Sequence, residues 1–349
     1  MKKFLIYFCG FFILFFIAPA ICTVSAKKED AQETSTLEGN ALVEGNASTE
    51  VNSFTEGNAS TEEKVSAEEK TIKLLHSSTG EVEELGLDEY LYGVVSSEMP
   101  VSFEMEALKA QAVVARTYTI YQITKNSSKH ENADICDNYA CCQAWISKED
   151  RLEKWNEEEA ESNWNKIVEA VNSTTGKIIT YGGEAINAFF HANSGGVTES
   201  SLNIWGGIDY PYLKSVETAG EEGYTQYSSE VTLSRQELLD KIKSKYEDCT
   251  IDFTQENCIQ ILEYTTSGRV KTIKFGNKEI AGTEARTLLG LKSTNFTFTM
   301  EGDNVIFSVT GYGHGVGMSQ TGADALAKSG ANYEEIIKHF YTNVEINNL

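Results

Sequence analysis

Residues 103–123, FEMEALKAQAVVARTYTIYQI, narrow the possible folds more than any other stretch of this chain. From Ala107 onward, apolar side chains fall on nearly every side of the helix that the spacing predicts, leaving no face for water. Such a helix is a core element, and other elements must wrap around it. Ser102, after Pro100, is expected to cap it. Gln111 and Arg116 stand out within it, because a buried polar group without a partner costs about 1–3 kcal/mol. Each therefore either ties the core together or lines a cleft. Gln111 shares its face with Ala107, Leu108, Val114 and Tyr118.

The preceding stretch, LDEYLYGVVSSEMP, predicts a shorter helix with Asp88 as its cap. Leu87, Tyr90, Leu91, Val94 and Val95 recur at offsets of three and four and mark one buried face. Glu98 falls four residues after Val94 and continues that face. Desolvation disfavours the charged form of a carboxyl group and raises its pKa. An acid still protonated near neutral pH is what general-acid catalysis requires. The same periodicity also fits a helix-end glutamate turned to solvent, and spacing does not separate the two.

Order is expected from Thr71, with a first strand and a turn at Ser78-Thr79-Gly80. A further helix is predicted over 149–173. After Gly176 the pattern changes to short strands. Ser234 to Glu237 forms a capping box opening a helix. IQILEYT, RVKTIKFG, FTFTM and NVIFSVTG alternate as half-buried strands do. GTEARTLLGL predicts a short helix, and another closes the chain near Tyr333 to Phe340. The fold class is α+β in two parts. A helical part over 85–175 and a strand-rich part over about 225–310 are expected to flank a wide substrate groove.

Lys2-Lys3, an apolar run from Phe4 to Ala18, and Val24-Ser25-Ala26 read as an export signal in residues 1–26. Phe4 to Val24 is also just long enough for an uncleaved membrane anchor. Either form puts the remainder outside the cytoplasm, anchored to the outer face of the cytoplasmic membrane or secreted. Residues 27–70 carry 11 acidic and 4 basic residues and repeat EGNA at Glu38, Glu44 and Glu56, twice as EGNASTE. So few apolar groups cannot offset ordering entropy, and this segment is expected to be a disordered linker. The full chain of 349 residues has 52 acidic and 29 basic residues, a net charge of -23. With no basic stripe, a nucleic-acid partner is excluded.

HENADICDNYACC places His130, Cys136, Cys141 and Cys142 within thirteen residues. One imidazole and two or three thiolates suit zinc, with His130, Cys136 and Cys142 as ligands. A disulfide from Cys136 to Cys141 or Cys142 fits the same cysteines and leaves His130 unexplained. Cys249 and Cys258 are close enough in sequence to pair. FFHANSGG and GYGHGVGMSQTGA each set a histidine among small residues, which permits close approach of a ligand. His191, Ser194, His314, Ser319 and Gln320 offer donors and acceptors for a hydroxyl-rich ligand. Two tight turns with incidental histidines would have the same composition.

In order along the chain, LDEYLYGVVSSEMP, EALKAQAVVARTYT, DICDNYACCQAW, FFHANSGGVTESS, RTLLGLKSTNF and GYGHGVGMSQTGA resemble the SpoIID family, including its amidase-enhancer branch. The resemblance spans residue 73 to the carboxyl end and makes residues 71–349 the catalytic domain. It implies a lytic transglycosylase that cuts the MurNAc-β-1,4-GlcNAc bond of peptidoglycan and leaves a 1,6-anhydro end. Glu98 matches the glutamate of the family's EMP motif, as acid and then base. Gln111, Arg116, His191, Ser194, His314, Ser319 and Gln320 become substrate-binding candidates. The chemistry needs no cofactor, so any zinc at His130, Cys136 and Cys142 would brace a loop. Implied partners are glycan strands and an amidase or endopeptidase of the sporulation machinery. Trp145 and Thr321 depart from the family's usual tyrosines, and altered sugar contacts are expected there. Two other readings remain: a non-catalytic module that enhances an amidase, and a thiol peptidase using Cys142 with His191 or His314, for which no nucleophile motif is present.

Overall fold

The protein, seen in a computed structural model that describes residues 70–125 and 129–349, is arranged around the predicted apolar helix. The expected export signal and the expected linker as far as Glu69 lie outside the described residues. Helices α1 (Leu87–Glu98) and α2 (Met105–Lys125) come first. Fourteen of the 21 residues of α2 are buried, on all its faces. No helix among the described residues is long and apolar enough to cross a membrane.

Three local expectations are corrected. Asp88 does not cap α1, whose N-cap is Gly86 with no side-chain bond. Its carboxylate instead accepts from Arg116 Nη2 at 2.8 Å and from Thr175 Oγ1 at 2.7 Å. A buried guanidinium left unpaired costs several kcal/mol, against about 1 kcal/mol for a cap, so the ion pair wins. Ser102 does not cap α2, which starts at Met105; the Glu104 N–H before it is taken by Asp324 Oδ1 at 2.7 Å, from 220 residues away. The helix expected over 149–173 is two helices. They are α3 (Lys148–Leu152), capped by the Ser147 side chain, and α4 (Glu157–Asn172), which restarts after Asn156 in extended conformation.

The helices pack against short strands. Thr71–Leu75 pairs antiparallel with Val82–Gly86 and parallel with Ile135–Cys136. Lys177–Tyr181 lies between Glu184–Ala185 and Glu345–Asn348. After the short α5 (Ser201–Trp205) comes the strand-rich region. Ser228–Ser234, Asn304–Thr310 and Phe296–Glu301 form one antiparallel sheet. Ile259–Tyr264, Val270–Phe275 and Lys278–Ala281 form a second. Helix α6 (Arg235–Lys243) opens with the predicted capping box, and α7 (Gly282–Leu289) packs beside the second sheet. Its apolar core runs from Leu233 to Val309 and is separate from the first core. The chain then returns to the first core through α8 (Gln320–Lys328) and α9 (Tyr333–Phe340), both packed on α2. The architecture is α+β.

Candidate active site

Glu98 ends α1. The five apolar residues of its face are all buried, so the helix carries the carboxyl group into apolar surroundings. That burial raises its pKa to about 7, offset in part by two hydrogen-bond donors. The Ala144 N–H donates to Oε1 at 2.9 Å, and the Gln320 side-chain amide reaches Oε2 at 3.5 Å. The carboxyl group lines an open depression of about 460 Å³ together with Arg151, Trp155 and Gln226, and it is the only carboxylate among the lining residues. A second depression of about 690 Å³ shares Pro100, Ser102 and Gln226 with the first and extends to Tyr224 and Lys328.

The first donor comes from a loop pinned along its length. Gln143 Nε2 donates to Tyr90 Oη at 3.1 Å and to Thr119 Oγ1 at 3.0 Å, tying the loop to α1 and α2. The Trp145 indole lies directly on Gly93 of α1, where an added Cβ would come within 2.2 Å of Nε1. Immediately before the loop, His130, Cys136, Cys141 and Cys142 converge, their ligand atoms all within 4.8 Å of one another. His130 Nε2 is 3.2 Å from Cys142 Sγ and 3.8 Å from Cys141 Sγ. Edges of that length fit a tetrahedral site with Zn–S near 2.3 Å and Zn–N near 2.0 Å. The hydrogen bond from Cys142 is the main reason the Cys136 thiol is lowered to about 5, while Cys142 is pushed up. The described cysteines are all free thiols. Cys249 and Cys258 do not pair: Cys249 Sγ contacts Phe275 O and Cys258 Sγ contacts Met300 Sδ.

The second donor comes from the carboxyl-terminal glycine motif. Met318–Ser319 pairs parallel with Phe190–His191, which sets Ser319 opposite His191 and joins the two glycine-rich stretches. Gly317, at φ 74°, allows this, since an added Cβ would lie 1.9 Å from Phe189 O. Beneath the junction lies Glu221, fully buried. It accepts from the Ser194 and Ser319 hydroxyls, from Thr321 Oγ1 at 2.9 Å, and from the Ser194 and Gly196 amides at 3.1 and 3.0 Å. Ser194 and Ser319 therefore face inward, toward one carboxylate. Thr321 does too, so the aromatic stacking position expected there is an internal one.

The remaining candidates are spread out. His191 and His314 stack with centroids 5.6 Å apart, beside Trp205 and Phe189. Burial above all pushes both below the usual imidazole range, His191 to about 3, so both are neutral near pH 7. Neither lines the two depressions. Arg116 is fully buried and held by Asp88 and by the Thr174, Lys177 and Val171 carbonyls. Its guanidinium braces α2 against α1 and the end of α4. Gln111 is also fully buried, with neither amide atom partnered among the described residues. The sequence reading missed Ala144, Glu221, Arg151 and Trp155. For the last two, the i,i+4 spacing of arginine and tryptophan was the available signal.

Residues 76–181 match a family model described as a stage II sporulation protein. Over 277 residues the chain is 35% identical to stage II sporulation protein D of Bacillus amyloliquefaciens, covering 79% of this chain and 78% of that one. It is 34% identical to stage II sporulation protein D of Bacillus subtilis (strain 168), with the same coverage. The Amidase enhancer of Bacillus subtilis (strain 168) is 30% identical over 303 residues, 72% of this chain and 39% of that protein. An α+β domain with one carboxyl group lining an open depression thus falls in a class of sporulation proteins. The chain belongs to the stage II sporulation protein D family.

Proposed function

We propose that this protein is a peptidoglycan lytic transglycosylase of sporulation, with Glu98 as its catalytic acid and base. The observation that carries this reading is a lone carboxyl group, raised to about 7, in a depression with no second carboxylate. Ordinary glycosidases need two carboxyl groups, one for the leaving oxygen and one for water or the sugar carbon. Intramolecular closure needs one. Protonated Glu98 gives its proton to the glycosidic oxygen between MurNAc and GlcNAc as an oxocarbenium-like state forms. The resulting carboxylate takes the proton from the muramic C6 hydroxyl, whose oxygen closes the 1,6-anhydro ring. Ala144 N–H and the Gln320 amide hold the carboxylate in place for both transfers. The two depressions together form the groove for the glycan strand.

In the same reading, His130, Cys136 and Cys142, with Cys141 in reach, hold a zinc ion. It fixes the loop that carries Ala144 and takes no part in proton transfer. The partners are glycan strands and an amidase or endopeptidase. The protein works at the outer face of the cytoplasmic membrane, secreted or held by its amino-terminal segment. The likeness to an amidase enhancer favours a second reading, a non-catalytic module that binds glycan and activates an amidase.

Purified protein incubated with glycan strands lacking peptides separates the two readings. Mass spectrometry should find anhydro-muramic ends, and Glu98→Gln should lower their formation by about 10²–10⁴-fold while leaving the fold intact. Equal turnover by that variant, or no anhydro product from the wild type, removes the transglycosylase reading.

A further inference from the structure

The stretch RTLLGLKSTNF takes no part in the surroundings of Glu98. It carries two half-buried cations, Arg286 in the last turn of α7 and Lys292 beyond the helix end. Gly290, at φ 78°, ends α7 in the left-handed conformation and turns the chain back, so that Arg286 Nε reaches the Leu291 carbonyl at 3.4 Å. This long bond is the one hydrogen bond of the Arg286 side chain among the described residues, and it uses one of five N–H donors. Lys292 makes no ion pair among the described residues; its ammonium lies 5.1 Å from the centroid of the Tyr312 ring. The Gly313 N–H donates to the Lys292 carbonyl at 2.9 Å, which fixes this stretch against the carboxyl-terminal glycine motif. Burial disfavours the Arg286 charge and lowers its pKa, and the Tyr312 phenol pulls the other way. A third cation, Arg269, is fully buried under the same motif, where a Cβ added to Gly315 would come within 2.6 Å of its Cζ. Its Nε and Nη1 have no partner among the described residues.

Carboxylates do not balance these charges at close range. Burial pushes Arg269 down to about 10; Glu199 and Glu221 draw it back up, while Arg286 pushes it further down. Both glutamates are already filled, Glu199 by Ser200 N–H, Asn203 and Ser267, and Glu221 by the hydroxyls and amides of the two glycine motifs. Neither faces Arg286 or Lys292 with an ion pair. In a chain of net charge -23, cations brought together without a carboxylate repel one another until an anion joins them. The donors suggest which anion. A guanidinium fork, a compact ammonium and a phenol hydroxyl offer donors in several directions and two reachable positive charges. A carboxylate has two oxygens and one charge, whereas a phosphate presents three or more oxygens and up to two charges. We propose that Arg286 and Lys292, beside Tyr312, form a phosphate-binding site where the RTLLGLKSTNF stretch meets the glycine motif, with buried Arg269 adding to the positive field. A free phosphate ion, a phosphate monoester and a phosphodiester share this chemistry. The site is independent of what happens at Glu98.

The test titrates the full chain calorimetrically at low ionic strength with inorganic phosphate, sulfate, dimethyl phosphate and acetate. Phosphate and sulfate should bind with millimolar affinity, and acetate at least about tenfold more weakly. Arg286→Gln and Lys292→Gln should each weaken phosphate binding about tenfold, and Arg286→Lys, which keeps the charge and loses the fork, by less. Lys271→Gln, at an exposed lysine paired with Glu263, and Glu98→Gln should both bind phosphate as wild type does. A crystal soaked in selenate should show its anomalous peak between Arg286 and Lys292. Dimethyl phosphate binding as tightly as inorganic phosphate supports the site and assigns it to phosphodiesters. Dimethyl phosphate at least about tenfold weaker supports it and assigns it to a monoester or the free ion. Four results overturn the proposal: no phosphate binding by wild-type protein, acetate binding equal to phosphate, wild-type affinity in Lys292→Gln, or a loss of affinity in Glu98→Gln. The Lys292 arm reads the site even where Arg286→Gln disturbs the end of α7.

Discussion

Two segments each bring one donor to Glu98, and they are held by different chemistry. The Ala144 segment follows one imidazole and three thiols whose ligand atoms lie within 4.8 Å of one another. The Gln320 segment is anchored by Glu221, whose acceptor oxygens are filled by hydroxyls and amides of the protein itself. On the proposed zinc reading, the first arrangement is completed by an ion. The second is complete as soon as the chain is folded. On that reading a single carboxyl group is positioned on one side by a support that a chelator would remove, and on the other by one the folded chain supplies itself.

The largest effect expected from disturbing this pair comes from Glu221→Ala. It leaves several buried hydroxyls and amides without an acceptor, each at about 1–3 kcal/mol, so stability in urea should fall by at least about 3 kcal/mol. A loss below about 1 kcal/mol would mean that the Gln320 segment is held by something other than this carboxylate. Next is Cys136→Ser. Elemental analysis should find near-stoichiometric zinc in wild-type protein purified without added metal, and none in the variant, with glycan cleavage down about tenfold. Metal-free wild-type protein with full activity would erase the contrast between the two supports.

The smallest effect is on stability against pH. The folded-state pKa of Glu98, about 7, lies above its ordinary value of 4.5. The fold therefore favours the protonated form, and that contribution is fully present below pH 4.5 and lost as pH rises through 7. Glu98→Gln should melt like wild type near pH ~4 and a few degrees higher near pH ~8. His191 runs the other way, since its pKa is depressed to about 3. Its contribution is present above the unfolded imidazole pKa of about 6.5 and is lost as pH falls toward 3. A Glu98→Gln variant less stable than wild type at pH ~8 would contradict the burial argument for the acid.

What was legible in the sequence was whatever depends on local periodicity. The apolar face that ends in Glu98, the all-round burial of α2 and the capping box at Ser234 follow from spacings of three and four. Long-range competition hid the rest. Asp88 resembles a cap until Arg116, 28 residues on, takes its carboxylate. Glu221 lies in GEEGY, which by composition is a surface turn, and only the folded chain shows it beneath both glycine motifs. Ala144 acts through a backbone amide, which no side-chain pattern encodes. Arg116 was singled out correctly as a buried charge, but whether its partners are protein or ligand is decided by residues 88 and 171–177.

Glu98 and Gln320 are separated by 222 residues. In a chain delivered amino end first, whether from a ribosome or through a membrane, Glu98 emerges long before the segment that completes its surroundings. Until Ser319 pairs beside His191, and α8 and α9 dock on α2, the acid lacks one donor and part of the apolar enclosure that shifts its pKa. The order in which the residues arrive thus works as a timer: the surroundings of Glu98 stay incomplete until the chain's own carboxyl-terminal segment has joined the fold.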